Sequence, residues 1–409
     1  MSKHRKNRVL GVFFFLLAFL VMMGLTGVSE VGAEQKVLEM GTVQPISGPQ
    51  AAVGLSMSRG NEIYADWINS KGGLSIGSDK YKVKIIVEDS GMNPEIAASS
   101  ATKLVHKDGV KFVIGAIIDP CGEAIYGVTA PAKALHISSF LNIPGGPADV
   151  HQSRPLKVRL NIHNNMVHTI NYDYLTKTYP NVKTVALLEM NIGLDPVLVH
   201  RKSIAQKYGI KVVATELYPL ESFDMYPIHT RLLRHRPDAI DIGNSPPDHA
   251  VMHVKTAREL GFTGPIFHHS PMDTSTILRA VGPEKSQKVF GAGVDINSSK
   301  NITKEMRIVE SIWAKKYKEP FVSESFMAFD TAWTLSQAIE KAQSLDPETI
   351  VKTLEKMKMV GSLKTVYGPA HMGGLKTFGV NRVLVRPVPL SAVRGSTIDL
   401  VSLTLPQLP

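Results

Sequence analysis

Between residues 37 and 268 the chain repeats one unit: a short run of β-branched and apolar residues, a turn, and a longer amphipathic stretch. Strand-like runs fall at 37–43, 81–89, 110–116 and 136–140, and again at 184–189, 211–217, 238–242 and 266–268. Helical patterns separate them at 55–70, 94–107, 122–134, 166–179, 195–208, 226–236 and 247–260. In the second strand Val83, Ile85 and Val87 alternate, and in the first helix Ile63, Trp67 and Ile68 share a face. A strand, a helix and a further strand of one sheet join by a right-handed crossover. Repeating that unit gives an α/β fold with doubly wound parallel sheets and helices on both faces. The two runs are split near Lys157, which implies two similar lobes.

After His268 the alternation gives way to long helical patterns at 301–317, 325–342 and 348–357. A Gly-rich, hairpin-like stretch from Tyr367 to Gly374 and a strand at 382–386 follow. Helices without a new sheet must return to cover the first lobe, so the chain crosses between lobes more than once. Gly291-Ala292-Gly293 reads as such a crossing. The expected division is residues 34–157 and 295–366 in lobe 1, with residues 158–294 and 367–409 in lobe 2.

The chain opens with Lys3, Arg5, Lys6 and Arg8, an apolar run from Val9 to Gly24, and the small residues Val31-Gly32-Ala33. That pattern is a secretory signal peptide over 1–33, and the apolar run is shorter than the ~20 residues of a membrane span. Export to the periplasm is therefore expected. Of the net charge of +10, residues 1–33 carry four basic residues and one acidic one, which leaves +7 on the remainder. No basic run is interleaved with aromatics, so nucleic acid is not an expected partner. The one cysteine, Cys121, rules out an intramolecular disulfide.

The densest signals lie in the first unit. Its strand ends in the turn Ser47-Gly48-Pro49, and the helix that follows stops at Gly72-Gly73. Free backbone N–H groups at such a helix start make a natural ligand site. Ser47-Gly48-Pro49, Gly54, Gly60, Ile68-Asn69 and Gly72-Gly73 together resemble the opening of the branched-chain amino-acid-type periplasmic substrate-binding proteins of ABC importers. Val87-Glu88-Asp89-Ser90, Asn93-Pro94, Lys103-Leu104-Val105 and Val110 to Gly115 are similar to the unit that follows. The likeness is dense over 38–140 and thins through the second lobe. It implies the two-lobed periplasmic-binding-protein type I fold with hinge crossings, in a monomer: a small solute is captured in the cleft and presented to a membrane permease.

The specificity loops depart from that family. Where amino-acid binders carry small hydroxyl residues, this chain has Ile117-Ile118-Asp119-Pro120-Cys121-Gly122. An ionised Asp119 only accepts hydrogen bonds, so it favours an ammonium, amide or hydroxyl and repels a carboxylate. Asp119 before Pro120 also reads as a helix N-cap. The next loop offers Ser138, Ser139, Phe140 and Asn142. Asn191 stands where an aromatic is expected, and Asn244 and Ser245 end another second-lobe strand. Asp273 reaches the position that meets a ligand ammonium only if its loop slips by two residues. Val53 and Glu324 complete the candidate ligand-binding set. The ligand is therefore not expected to be a plain branched-chain amino acid.

His249 and His253 share a helix face and His268-His269 end a strand, but neither pair supplies the three or four ligands of a metal site. They read as ordinary surface histidines. No nucleophile elbow and no P-loop is present, and Cys121 reads as a small buried side chain, so neither a catalytic centre nor a cofactor is expected. A solute carrier is the leading reading. A ligand-sensing module on the same fold that signals to a partner protein is the alternative.

Overall fold

The computed structural model describes residues 36–48, 50–138, 149–191, 193, 195–270, 272, 274–298 and 300–408. The expected signal peptide, Ser139, Phe140, Asn142 and Asp273 lie outside the described residues.

The strands form two sheets. The first is built from β1 (Lys36–Gln44), β2 (Leu74–Ile76), β3 (Asp79–Asp89), β4 (Phe112–Gly115), β5 (Leu135–Ser138), β6 (Lys157–Arg159), β12 (Leu363–Thr365), β13 (Gly368–Gly373) and β14 (Val383–Val385). Its order is β12-β13-β14-β6-β5-β4-β1-β3-β2. The second contains β7 (Thr184–Met190), β8 (Lys211–Tyr218), β9 (Ala239–Asp241), β10 (Ile266–His268), β11 (Val289–Ala292), β15 (Val388–Arg394) and β16 (Thr397–Thr404), in the order β16-β15-β11-β10-β9-β7-β8. The run β14-β6-β5-β4-β1 is parallel, as is β11-β10-β9-β7-β8, and the antiparallel pairs lie toward the edges. Central strands such as FVIG of β4 are buried on both faces, which is why they read as continuous apolar runs.

Helices cover both sheets. The first lobe carries α1 (Ala51–Ser70), α2 (Pro94–Thr102) and α3 (Asp119–Thr129), and the second α4 (Asn164–Thr178), α5 (Asp195–Lys207), α6 (Tyr226–Leu233), α7 (Pro247–Glu259) and α8 (Ser275–Lys285). Then come α9 (Lys304–Tyr317), α10 (Glu324–Ala342), α11 (Pro347–Lys356) and the short α12 (Leu375–Phe378). Several starts follow the sequence signals. Asn93 accepts from the N–H groups of Glu95 and Ile96, Thr303 from Met306, and Asp346 from Thr349. The α8–β11 unit escaped the periodicity because Gly282, at φ 79°, and Pro283 interrupt its helix.

The late helices do return to the first lobe. Val309 and Trp313 of α9, Phe329 and Leu335 of α10, and Ile350 and Leu354 of α11 share one core with Met40, Ile63, Phe112 and Ile137. Two boundaries shift. β6 pairs with β5, so the chain leaves the first sheet after Arg159, within the segment expected to open lobe 2. β13 and β14 also belong to the first sheet, so of residues 367–409 only those from Val388 onward join the second. β14 pairs parallel with β6 and antiparallel with β13, which ties both strands to the first sheet.

Buried arginines hold two of the three crossings. Arg159 lies 3.5 Å from Asp149, which also meets His163 at 2.9 Å. Burial pushes the Asp149 carboxyl up, but Arg159 and His163 outweigh it and hold it at about 2. At the third crossing the Arg386 guanidinium lies over the Tyr367 ring at 3.8 Å and faces Asp330 of α10 at 3.7 Å.

α1 packs backbone to backbone on α10. Ser325 Oγ donates to the carbonyl of Ser56 at 3.0 Å, and a Cβ on Gly60 would stand 2.3 Å from the Ser325 carbonyl oxygen. Tyr64, Trp67, Phe329 and Trp333 continue the contact edge to face. Because backbone cannot yield as a side chain does, Gly60→Ala must push α1 and α10 apart. We expect a loss of about 1–3 kcal/mol in chemical denaturation, against a smaller effect for the solvent-facing Gly127→Ala.

Candidate functional site

The chain leaves the first sheet at the carboxyl ends of β6 and β14, and the second at the carboxyl end of β11. Only Arg386 and Pro387 separate β14 from β15, and β15 starts beside the end of β11, where Ala292 pairs with Leu390. The carboxyl edges of the two sheets therefore face each other across the crossings. Each sheet has its strand-order reversal on that edge: β1 lies between β3 and β4, and β7 between β8 and β9. Loops diverge at such a reversal and leave a crevice, with helix N-termini pointing into it.

On the first-lobe side the loop after β1 is tied to the end of β3. The Ile46 N–H donates to Asp89 at 3.0 Å and Ser47 Oγ donates to it at 2.5 Å. Val53 follows in the first turn of α1 and is half-buried. On the other side of the same reversal, after β4, Asp119 is the first residue of α3, and Ile118 holds the cap position without a side-chain cap. The capping role read from the sequence is thus corrected: Asp119 favours the helix through the charge it brings to the first turn. It is half-buried and Pro120 is exposed. Cys121 is removed from the candidate set. It is fully buried among Val43, Ala97, Leu104 and Val113, and burial pushes its thiol up to about 11. Ser138 is the buried last residue of β5, opposite Arg159. Glu324 is buried in the first turn of α10.

The second-lobe side holds a buried charge network that the sequence reading missed. Arg201 of α5 donates to Asp241 at 2.6 Å, to Glu189 at 3.0 Å and to the Leu188 carbonyl at 2.6 Å. Asp241 also accepts from Tyr172 at 3.1 Å and from the Gly243 N–H at 2.9 Å, and it meets His269 at 2.9 Å. Glu189 accepts from the Met190 N–H at 3.0 Å and from Asn244 Nδ2 at 3.1 Å. Burial raises both acids. At Asp241, Arg201 and His269 overcome it and hold the carboxyl at about 2, whereas Glu189 stays above its usual value. An acid inside each of the apolar runs ALLEM and AIDIG, and Arg201 within the apolar face of α5, were the legible signals.

Of the candidate polar residues of this lobe, one joins the same frame. Asn244 is engaged by Glu189. Ser245 donates to the Ile242 carbonyl and meets Tyr218 at 2.9 Å. Asn191 stays exposed after β7. The histidines are not surface residues as expected: His249, His253, His268 and His269 are all buried. His253 Nδ1 meets His229 Nε2 at 3.0 Å, and the His168 ring stands 4.5 Å from that of His269. Burial holds His229 and His268 at about 4, hence neutral at pH 7. No group of three or more His, Cys, Asp or Glu side chains among the described residues is placed to hold a metal ion.

Comparison with known proteins agrees with this geometry. The family model described as periplasmic binding protein matches residues 37–394. A Leu/Ile/Val-binding protein homolog 8 of Brucella abortus is 23% identical over 360 residues, covering 78% of this chain and 80% of its own. A branched-chain amino acid transporter substrate binding protein of Streptococcus pneumoniae, solved with isoleucine, superposes with a TM-score of 0.70 at 18% identity, covering 90% of this chain and 100% of its own. A solute binding protein of an ABC transporter from Rhodopseudomonas palustris, solved with 3,4-dihydroxybenzoic acid, gives 0.73 at 18% identity, covering 91% and 99%.

Two outcomes follow from the buried charges. Arg201→Met leaves Asp241 and Glu189 buried without their cation, so it should cost about 3–5 kcal/mol in urea unfolding. Stability should also fall on acidification. A histidine with a depressed folded pKa contributes fully above its unfolded value and loses that contribution as pH falls below it. With about 4 for His229 and His268 against 6.5 unfolded, each should cost about 2 kcal/mol by pH 5. His229→Gln should flatten its share of the slope.

Proposed function

The chain belongs to the periplasmic binding protein family, and from that premise we propose that it captures a small solute between its lobes and presents it to the membrane permease of an ABC importer. The observation that carries this reading is the apposition of two strand-order reversals across three crossings. Such a site is built from two half-sites, and rotation about the crossings brings them together on a ligand. The solute stabilises the closed arrangement by its better contacts there, and a permease that distinguishes the closed form reads occupancy.

The solute is a small polar or aromatic molecule rather than a plain branched-chain amino acid. An α-ammonium taken out of water needs a carboxylate partner. In the second lobe Asp241 and Glu189 are consumed by Arg201, Tyr172, His269, Asn244 and backbone N–H groups. On the first-lobe side Asp119 favours an ammonium, amide or hydroxyl donor and repels the α-carboxylate that a plain amino acid also carries. Relatives of the same fold hold isoleucine or 3,4-dihydroxybenzoic acid, so the scaffold accommodates either class and the loops decide.

A thermal-shift panel of leucine, valine, amides, polyamines and hydroxylated aromatic acids tests the reading. One solute class should raise Tm, by an amount equivalent to about 2.7 kcal/mol at a hundredfold excess over Kd. Asp119→Ala should weaken that solute by about tenfold or more. Leucine or valine binding at micromolar strength would overturn the assignment of ligand class, and an unchanged Kd in Asp119→Ala would remove Asp119 from the site.

A further inference from the structure

Between α11 and the edge strand β12 the chain makes a tight turn over Met359, Val360, Gly361 and Ser362. The Ser362 N–H donates to the Met359 carbonyl at 2.9 Å, and Gly361 has φ 87°. A positive φ at the third position is what a type II turn needs and what glycine supplies. The turn is fixed further by Gly361 N–H to the Ala370 carbonyl at 3.0 Å and by Ser362 Oγ to the Met357 carbonyl at 2.7 Å. This rigid frame holds two large apolar side chains in solvent, Met359 at 77% exposure and Val360 at 59%.

Lysines flank the pair along the chain. Lys352, Lys356, Lys358 and Lys364 are all exposed. Lys352 lies 3.8 Å from Glu348, whereas Lys356, Lys358 and Lys364 make no ion pair with a described residue. The nearby acid Glu355 is taken by Arg382 at 2.7 Å. Another exposed apolar tip carries the opposite charge: Phe223, 84% exposed, stands between Glu221 and Asp224. The Met359–Val360 tip lies at the amino end of β12, away from the carboxyl edge that carries the candidate site. It lies beyond the end of β12 opposite Tyr367, the residue that touches the crossing at Arg386.

We propose that the Met359–Val360 tip is a membrane-surface contact, in which the lysines meet anionic lipid headgroups and the two apolar side chains enter the interface. Each lysine near an anionic surface contributes about a fivefold factor in affinity, and the attraction decays within a Debye length of ~8 Å at physiological salt. Two short apolar side chains add a shallow insertion. The association is weak and reversible, and it holds the carrier near a bilayer without anchoring it.

The test is co-sedimentation of the full protein, purified from the extracytoplasmic fraction of its host, with vesicles of phosphatidylcholine alone or with 30% phosphatidylglycerol. The protein should pellet with the anionic vesicles, and the bound fraction should drop severalfold between 50 and 300 mM salt. Lys356→Glu with Lys358→Glu should reduce binding by about tenfold or more, and Met359→Ser with Val360→Ser by severalfold. Phe223→Ser should leave it unchanged, and all variants should keep the melting temperature of the parent. Equal binding to both vesicle types, no binding to either, or binding untouched by the lysine and Met359/Val360 variants would overturn the proposal. Binding only to vesicles that carry membrane proteins, regardless of lipid charge, would assign the tip to a protein partner and overturn it as well.

Discussion

A parallel strand can be re-entered only from the edge where its predecessor began, so every connecting helix starts at the carboxyl edge of its sheet. This constraint organises the whole molecule. It gathers the strand-to-helix loops of each lobe on one edge, and the three crossings leave from that same edge. The two loop sets are then forced to face each other. No loop residue has to specify that arrangement, because connectivity and handedness impose it.

The crossings and the second-lobe floor solve a related problem of charge. Carboxyl edges collect helix N-termini and their positive potential, and acids at strand ends answer it. Glu189 and Asp241 end adjacent strands and would repel one another in a dry interior. Arg201 enters between them from α5, and Tyr172, Asn244 and His269 fill the remaining lone pairs. A network satisfied in this way fixes its geometry firmly, since removing any member strands the others. The second lobe thus holds a preorganised layer of paired charges at its carboxyl edge.

The fold was largely legible because its signals are local. Alternation at a period of two, apolar stripes at 3.6, and caps such as Asn93 and Asp346 all act within a few residues. The misreadings share one cause. The α8–β11 unit was lost where Gly282 and Pro283 break the helical period. The strand Val383–Val385 was given to the wrong lobe because its partner, β6, lies more than two hundred residues earlier. The site was less legible still. Cys121 stands two residues after Asp119 in the loop the resemblance points to, and two steps along a helix turn a side chain from the crevice into the core. His249 and His253 share a helix face in either reading, but only packing decides whether that face is wet.

The sequence alone determined the α/β class, the two runs of strand–helix units and the resemblance to a family of binding proteins. Those features rest on short-range periodicity and on residues a turn apart. Tertiary structure decided which strands close each sheet, where the chain crosses, and that Arg201, Asp241, Glu189 and His269 form one network. Charges from α5, β7, β9 and the loop after β10 meet only after the sheet brings their ends together. Their pKa values and their availability to a ligand are consequences of that meeting, because Coulomb energy and desolvation depend on distance and burial in space rather than on separation along the chain.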